Sequence, residues 1–169
     1  MKRRLLLLRH AKSSWSEPDL PDRERPLAAR GRRAAVALGA RLARRRLTID
    51  RVLCSPARRT RETLALLALD PAIRVAYSET LYLASARTLL TRLRRLPPRV
   101  HSVLVIGHDP GLEHLVHLLA DRGREQALQR LSGGFKTGAL AELRVPEDGW
   151  RALRAGSAYL ERFTRPKDL

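Results

Sequence analysis

Three short apolar runs constrain this chain more than any other feature: LLLL at residues 5–8, RVLC at 51–54 and VLVI at 103–106. Each is too short for a helix and lacks the alternation of a half-exposed strand, so each reads as a strand buried on both faces of a sheet. Each also stops at polar residues: Arg9 and His10 after the first, Ser55 with Arg58 and Arg59 after the second, Gly107 and His108 after the third.

Helical periodicity fills the gaps between them. Ala35, Leu38, Gly39 and Leu42 recur at i, i+3, i+4 and i+7, which predicts a helix over about residues 28–46. Ser55 reads as an N-cap and Pro56 as the first helical position of the segment ARRTRETLALLAL. IRVAY reads as a strand, SARTLLTRLRRL as a helix stopped by Pro97 and Pro98, and GLEHLVHLLA as another helix. LSGGFKTG reads as a loop, GALAELRV and WRALRAG as closing strands, and Gly107 as the site of an unusual backbone turn. The proline-rich stretch AKSSWSEPDLPDRERPL predicts an ordered loop crossing near the end of the first strand. This alternation predicts an α/β fold of three layers around a largely parallel sheet. Parallel strands present their carboxyl ends at one edge, where residues far apart in sequence converge on a ligand.

Composition narrows the class. With 169 residues, 44% of them hydrophobic, the chain suits one domain over residues 1–169. MKRR followed by four leucines imitates a secretory signal, but the apolar stretch is shorter than the roughly 7 to 15 residues such a region needs. The lone Cys54 cannot form an intramolecular disulfide, and no membrane-spanning run occurs. The expectation is a soluble, cytoplasmic protein without membrane contact. Thirty-four Lys and Arg against 17 Asp and Glu give a net charge of +17, a field that attracts anions. A solvated basic surface is favoured over a dedicated nucleic-acid site, because aromatics are only 4% and do not interleave with the basic residues.

The three strand ends together suit a phosphate. Arginine's planar fork matches phosphate oxygens, and a helix start adds unpaired amides and a positive dipole end. Two histidines add a nucleophile and a donor, and positioning plus charge neutralisation is most of what phosphoryl transfer requires. No metal or cofactor is expected.

In these segments the chain resembles the histidine phosphatase superfamily, which includes the phosphoglycerate mutases. LLRHAKSSW is similar to the family's RHG signature, SPARRTRET to its S-P-x-x-R-A-x-x-T segment and VIGHDPGL to its second-histidine loop, with RPLAARG in the same order. Among the members it is most similar to the short SixA-type phosphohistidine phosphatases. The resemblance implies a phosphoglycerate mutase-like sandwich, with His10 as the nucleophile and Arg9 and Arg59 on the phosphoryl oxygens. His108 would be the second pocket histidine and Glu79, in YSETLYLAS, the proton donor. Departures at Ala11, Lys12 and Ser16 weaken a mutase reading more than a phosphatase one, and the short chain implies an open pocket. The expected substrate is phosphohistidine in a protein, with a role in signal transduction. The alternatives are a small phosphomonoester, or an inactive basic module that binds phosphoprotein or nucleic acid.

Other chemistry-bearing residues read more plainly. A cysteine phosphatase would need an arginine six positions beyond Cys54, where Thr60 stands, so Cys54 is a small core residue. His114 and His117 lack a third ligand for a metal, and His101 reads as a loop residue. Glu113 suits a helix N-terminus. Trp15 and Trp150 read as partial core or rim, Arg44, Arg45, Arg58 and Arg61 as solvated, and Lys12 and Ser16 as close enough to His10 to reach substrate.

Overall fold

The computed structural model describes residues 3–169. Seven strands form one sheet: β1 (Arg3–Arg9), β2 (Arg51–Cys54), β3 (Arg74–Tyr77), β4 (Ser102–Gly107), β5 (Arg122–Gly123), β6 (Leu140–Val145) and β7 (Tyr159–Thr164). Five helices accompany them: α1 (Ala29–Arg44), α2 (Arg58–Leu66), α3 (Ala86–Arg94), α4 (Gly111–Leu119) and α5 (Glu125–Ser132). The strand order is β3-β2-β4-β1-β6-β7-β5, and only β6 runs against the others. The three-layer α/β sandwich with a largely parallel sheet is therefore the observed fold.

The leucine run explains the layers. Leu5 to Leu8 are each 0% exposed, and alternate residues feed opposite cores. Leu5 and Leu7 join a cluster with Leu93 of α3, Leu115 of α4 and Leu131 of α5. Leu6 and Leu8 join Leu38 and Leu42 of α1 and Leu64 of α2. Val103 and Val105 against Leu104 and Ile106 repeat the division on β4. Truncating one such leucine to alanine removes buried surface on a strand that cannot collapse around the void, a loss of about 2–5 kcal/mol.

β4 inserts between β2 and β1, so the strands that precede Ser55, His108 and His10 are adjacent and co-directional. The ladder continues into the loops, with His10 N donating to Gly107 O (3.1 Å) and Ser55 N to Ile106 O (3.0 Å). Gly31 of the RPLAARG segment lets α1 abut the loop after β1, since a Cβ there would lie 2.2 Å from the Lys12 carbonyl oxygen.

Several sequence expectations need correction. WRALRAG is not a strand: Trp150–Ala152 form a 3-10 turn, Trp150 is buried with its indole donating to Val100 O, and the closing strand is β7. Helix α5, whose buried Ala127 and Leu131 recur at i and i+4, and β5, only two residues long, are additional elements. α2 starts at Arg58 with Ala57 as N-cap, two residues later than expected. The reason is that the Ser55 hydroxyl is held by His108 and its carbonyl accepts from Thr60 Oγ1. Gly107 takes no left-handed backbone, and the chain turns at Asp109–Pro110, joined by a cis peptide bond. Arg45 is not solvated: with Arg162 it neutralises Glu142, 2% exposed in β6. Trp15 is exposed, with the Arg25 guanidinium 3.9 Å from its ring centre. No described helix is long and apolar enough to cross a membrane.

Candidate active site

The loops leaving β1, β2 and β4 form a pocket around one guanidinium. Arg59, 4% exposed on the first turn of α2, donates from Nε to His10 Nε2 and from a terminal nitrogen to His108 Nδ1, both at 3.3 Å. Its other contacts go to Asp22, whose carbonyl accepts at 2.5 Å and whose Oδ2 accepts at 2.9 Å. The two imidazole centres are 5.3 Å apart, and the rings are 7% and 3% exposed.

Partners fix the tautomers. His10 Nδ1 is 2.8 Å from the Ala11 carbonyl oxygen, which can only accept, so Nδ1 carries the proton and Nε2 the lone pair. In His108 the assignment is reversed. Nδ1 faces a guanidinium that can only donate, so Nε2 carries the proton and donates to Ser55 Oγ at 2.7 Å.

Both imidazoles are held neutral. Burial lowers the His10 pKa to about 4, with Arg59 and Arg9 pushing the same way and the Ala11 hydrogen bond opposing. Burial likewise lowers His108 to about 3, assisted by Arg59 and His10.

A second layer holds these groups. Thr63 Oγ1 accepts from Ala11 N and donates to the Arg59 carbonyl, tying the loop after β1 to α2. Tyr82 sets its ring edge-on to His108 at 5.4 Å and donates its hydroxyl to Asp22 Oδ2. That bond and the Arg59 contact hold the Asp22 carboxyl below its usual range. Arg9 donates to Phe135 O (2.7 Å) and Asp109 Oδ2 (3.2 Å), while its buried Nε has no partner. Burial raises the Asp109 pKa against the pull of Arg9.

Of the candidate residues, the structure brings His10, Arg59 and His108 into direct contact and Arg9 close enough to His10 to influence its charge. Glu79 is not drawn into this network. Its side chain is 70% exposed and both oxygens accept from Arg23, which keeps the carboxyl ionised. Arg58 faces outward to Glu62, and Cys54 is fully buried with its thiol pushed up to about 12 by burial. Sequence reasoning missed Asp22, Tyr82, Asp109 and the engagement of Ser55 with His108. The only available signal was that the Asp22 loop crosses near the strand end.

Fold and pocket together define an α/β protein whose three adjacent strand ends gather two neutral imidazoles around an arginine. Residues 5–82 match the family model described as histidine phosphatase superfamily, branch 1. An uncharacterised protein of Mycobacterium tuberculosis is 39% identical over 163 residues, 95% of this chain and all of the relative. A solved structure from Nakamurella multipartitia, assigned as phosphohistidine phosphatase SixA, has a TM-score of 0.83 at 29% identity, covering 98% of this chain and 97% of its own. One from Agrobacterium tumefaciens with the same assignment has a TM-score of 0.83 at 28% identity, covering 98% and 99%. The chain belongs to the histidine phosphatase superfamily and has a SixA-like structure.

Proposed function

We propose that this protein is a metal-independent phosphatase that works through a phosphohistidine enzyme, with a phosphohistidine-bearing protein as substrate. The observation that carries the reading is the state of His10: buried, neutral, anchored through Nδ1–H to a backbone carbonyl, and directing its Nε2 lone pair at Arg59. A nucleophilic imidazole needs that tautomer. The likeness to SixA proteins supports phosphohistidine as the substrate class.

In the first step Nε2 of His10 attacks phosphorus in line. The new P–N bond forms as the bond to the leaving nitrogen breaks, and that nitrogen keeps the electron pair. In the second step water attacks phosphorus, the P–Nε2 bond breaks, inorganic phosphate leaves and neutral His10 is restored. Arg59 holds the two imidazoles only through long 3.3 Å contacts, which it can exchange for shorter charge-assisted bonds to phosphoryl oxygens. Arg9, close enough to His10 to lower its pKa, adds a second positive charge beside the same oxygens. A dianion beside His108 favours its protonated form, turning Nδ1 from acceptor into donor as charge builds on the phosphoryl group.

An imidazole leaving group needs less help from an acid than an alkoxide does, so the outward position of Glu79 is compatible with this substrate. Such a reaction would place the protein in signal transduction, in the cytoplasm. The test is rapid quenching with radiolabelled phosphohistidine protein in chelator. An acid-labile, base-stable phosphoryl group on His10, lost in His10→Ala, is expected. Turnover without any phosphoenzyme would overturn the mechanism, and turnover of small phosphomonoesters alone would overturn the substrate class.

A further inference from the structure

The phosphoryl pocket uses its donors on phosphoryl oxygens, so it offers little to tell one phosphorylated protein from another. A second feature of the surface is a cationic cavity. It has a volume of about 660 Å³ and lies between α1, the loop after α5 and the C-terminal segment. Its cationic side chains include Lys12, Arg30, Arg33, Lys136 and Lys167, none of which forms an ion pair among the described residues. Arg130 and Arg165, also on its wall, are already occupied by Asp168. No acidic side chain lines the cavity, while Ala34, Ala37 and Pro166 supply apolar surface.

Two loops connect the cavity to the active site, although no side chain of the phosphoryl pocket lines it. Lys12 is two residues beyond His10, and its carbonyl accepts from Ala28 N at the start of α1. Lys136 stands between Phe135, whose carbonyl holds Arg9, and Gly138, whose N–H donates to the carbonyls of Arg9 and His10. A protein that presents a phosphorylated side chain to His10 therefore approaches the loop that carries Lys12, part of the cavity lining.

We propose that the cavity is a docking groove for a carboxylate-rich segment of the protein substrate, a reading that rests on the phosphoprotein function proposed above. Five uncompensated cations select carboxylates by charge, and the apolar floor accepts an aliphatic or aromatic side chain between them. The lining contains no aromatic residue on which nucleobases could stack, which favours an acidic peptide over single-stranded nucleic acid.

The experiment uses two synthetic phosphohistidine peptides, one flanked by Asp and Glu and one by Ser and Gly, with the full-length protein and Arg30→Glu/Arg33→Glu. The acidic peptide should show a KM lower by roughly tenfold with kcat unchanged, and the double variant and raised salt should both erase the difference. Turnover of a small aromatic phosphomonoester should be the same in both proteins, which checks folding and chemistry. Equal KM values for the two peptides in the native protein would overturn the proposal, as would an acidic preference that survives the double variant.

A binding arm separates this inference from the reading beneath it. A fluorescent, unphosphorylated acidic peptide should bind the native protein and not the variant, even if no phosphohistidine peptide is turned over. In that case the substrate assignment fails while the groove stands. Tighter binding of a single-stranded oligonucleotide of equal charge would overturn the proposed occupant.

Discussion

The ends of β1 and β4 lie side by side, in register from Arg4 with Ser102 to Arg9 with Gly107, and each delivers a buried histidine to the same guanidinium. They differ in which ring nitrogen is tied down. His10 is anchored through Nδ1 to its neighbour's carbonyl, an attachment local to the chain. His108 is anchored through Nε2 to Ser55, fifty-three residues away on the β2 loop. Two identical side chains in matching positions thus carry opposite tautomers, and the difference suits one to attack and the other to stabilise charge.

The largest effect should separate these roles. His10→Ala should lower turnover on the order of 10⁴-fold or more and abolish the trapped phosphoenzyme. His108→Ala should cost about 10²–10³-fold while leaving slow phosphorylation of His10 detectable by quench-flow, the magnitude of one lost charge-stabilising donor. Equal losses with no phosphoenzyme in either variant would erase the distinction between the two strand ends.

Ser55→Ala sharpens the comparison, because only the His108 side depends on a distant partner. It strands the buried Nε2–H of His108, and should cost about 1–3 kcal/mol of stability and roughly tenfold in kcat/KM, read by denaturant melts and steady-state rates.

The pH profile tests what the two sides share. Burial places both folded-state values, about 4 and about 3, below the ordinary histidine value of 6.5. Below pH 6.5 the unfolded chain takes up protons that the folded one refuses. Stability is therefore fully present above that pH and falls as pH drops toward the folded values, by up to about 1.4 kcal/mol per pH unit for each histidine. Chemical denaturation at pH 7 and pH 5 checks the slope. The acid limb of kcat/KM, corrected for substrate titration, should lie nearer pH 4 than 6.5.

The smallest effect is expected at Glu79, which belongs to neither strand end. Glu79→Gln should change turnover of a phosphohistidine peptide by less than about threefold and that of an alkyl phosphate by more, since only the alkoxide needs protonation. Severe loss on both substrates would bring Glu79 back to the pocket.

The legible parts of this molecule were those written in contiguous residues. Leu5 to Leu8 and Val103 to Ile106 announce two-faced burial because every neighbour in the run is apolar, and the residues beyond a parallel strand must emerge at the shared edge. Arg9, His10, Ser55, Arg58, Arg59 and His108 could be nominated on that ground, and the family resemblance chose Arg59 over Arg58. Among the poorly legible elements, β5 and the turn at Trp150 are too short to show a period, whereas α5 carries one only in the i, i+4 pair Ala127 and Leu131.

The chain alone therefore settled the α/β alternation and the convergence of three polar strand ends, since side-chain burial follows a local pattern. Tertiary structure decided the rest: that Asp22 and Tyr82 close around Arg59, that Ser55 holds a histidine rather than caps a helix, and that Glu79 turns outward to Arg23. The physical reason is that hydrogen-bond partners and desolvation belong to the space around a group, which packing of distant segments creates.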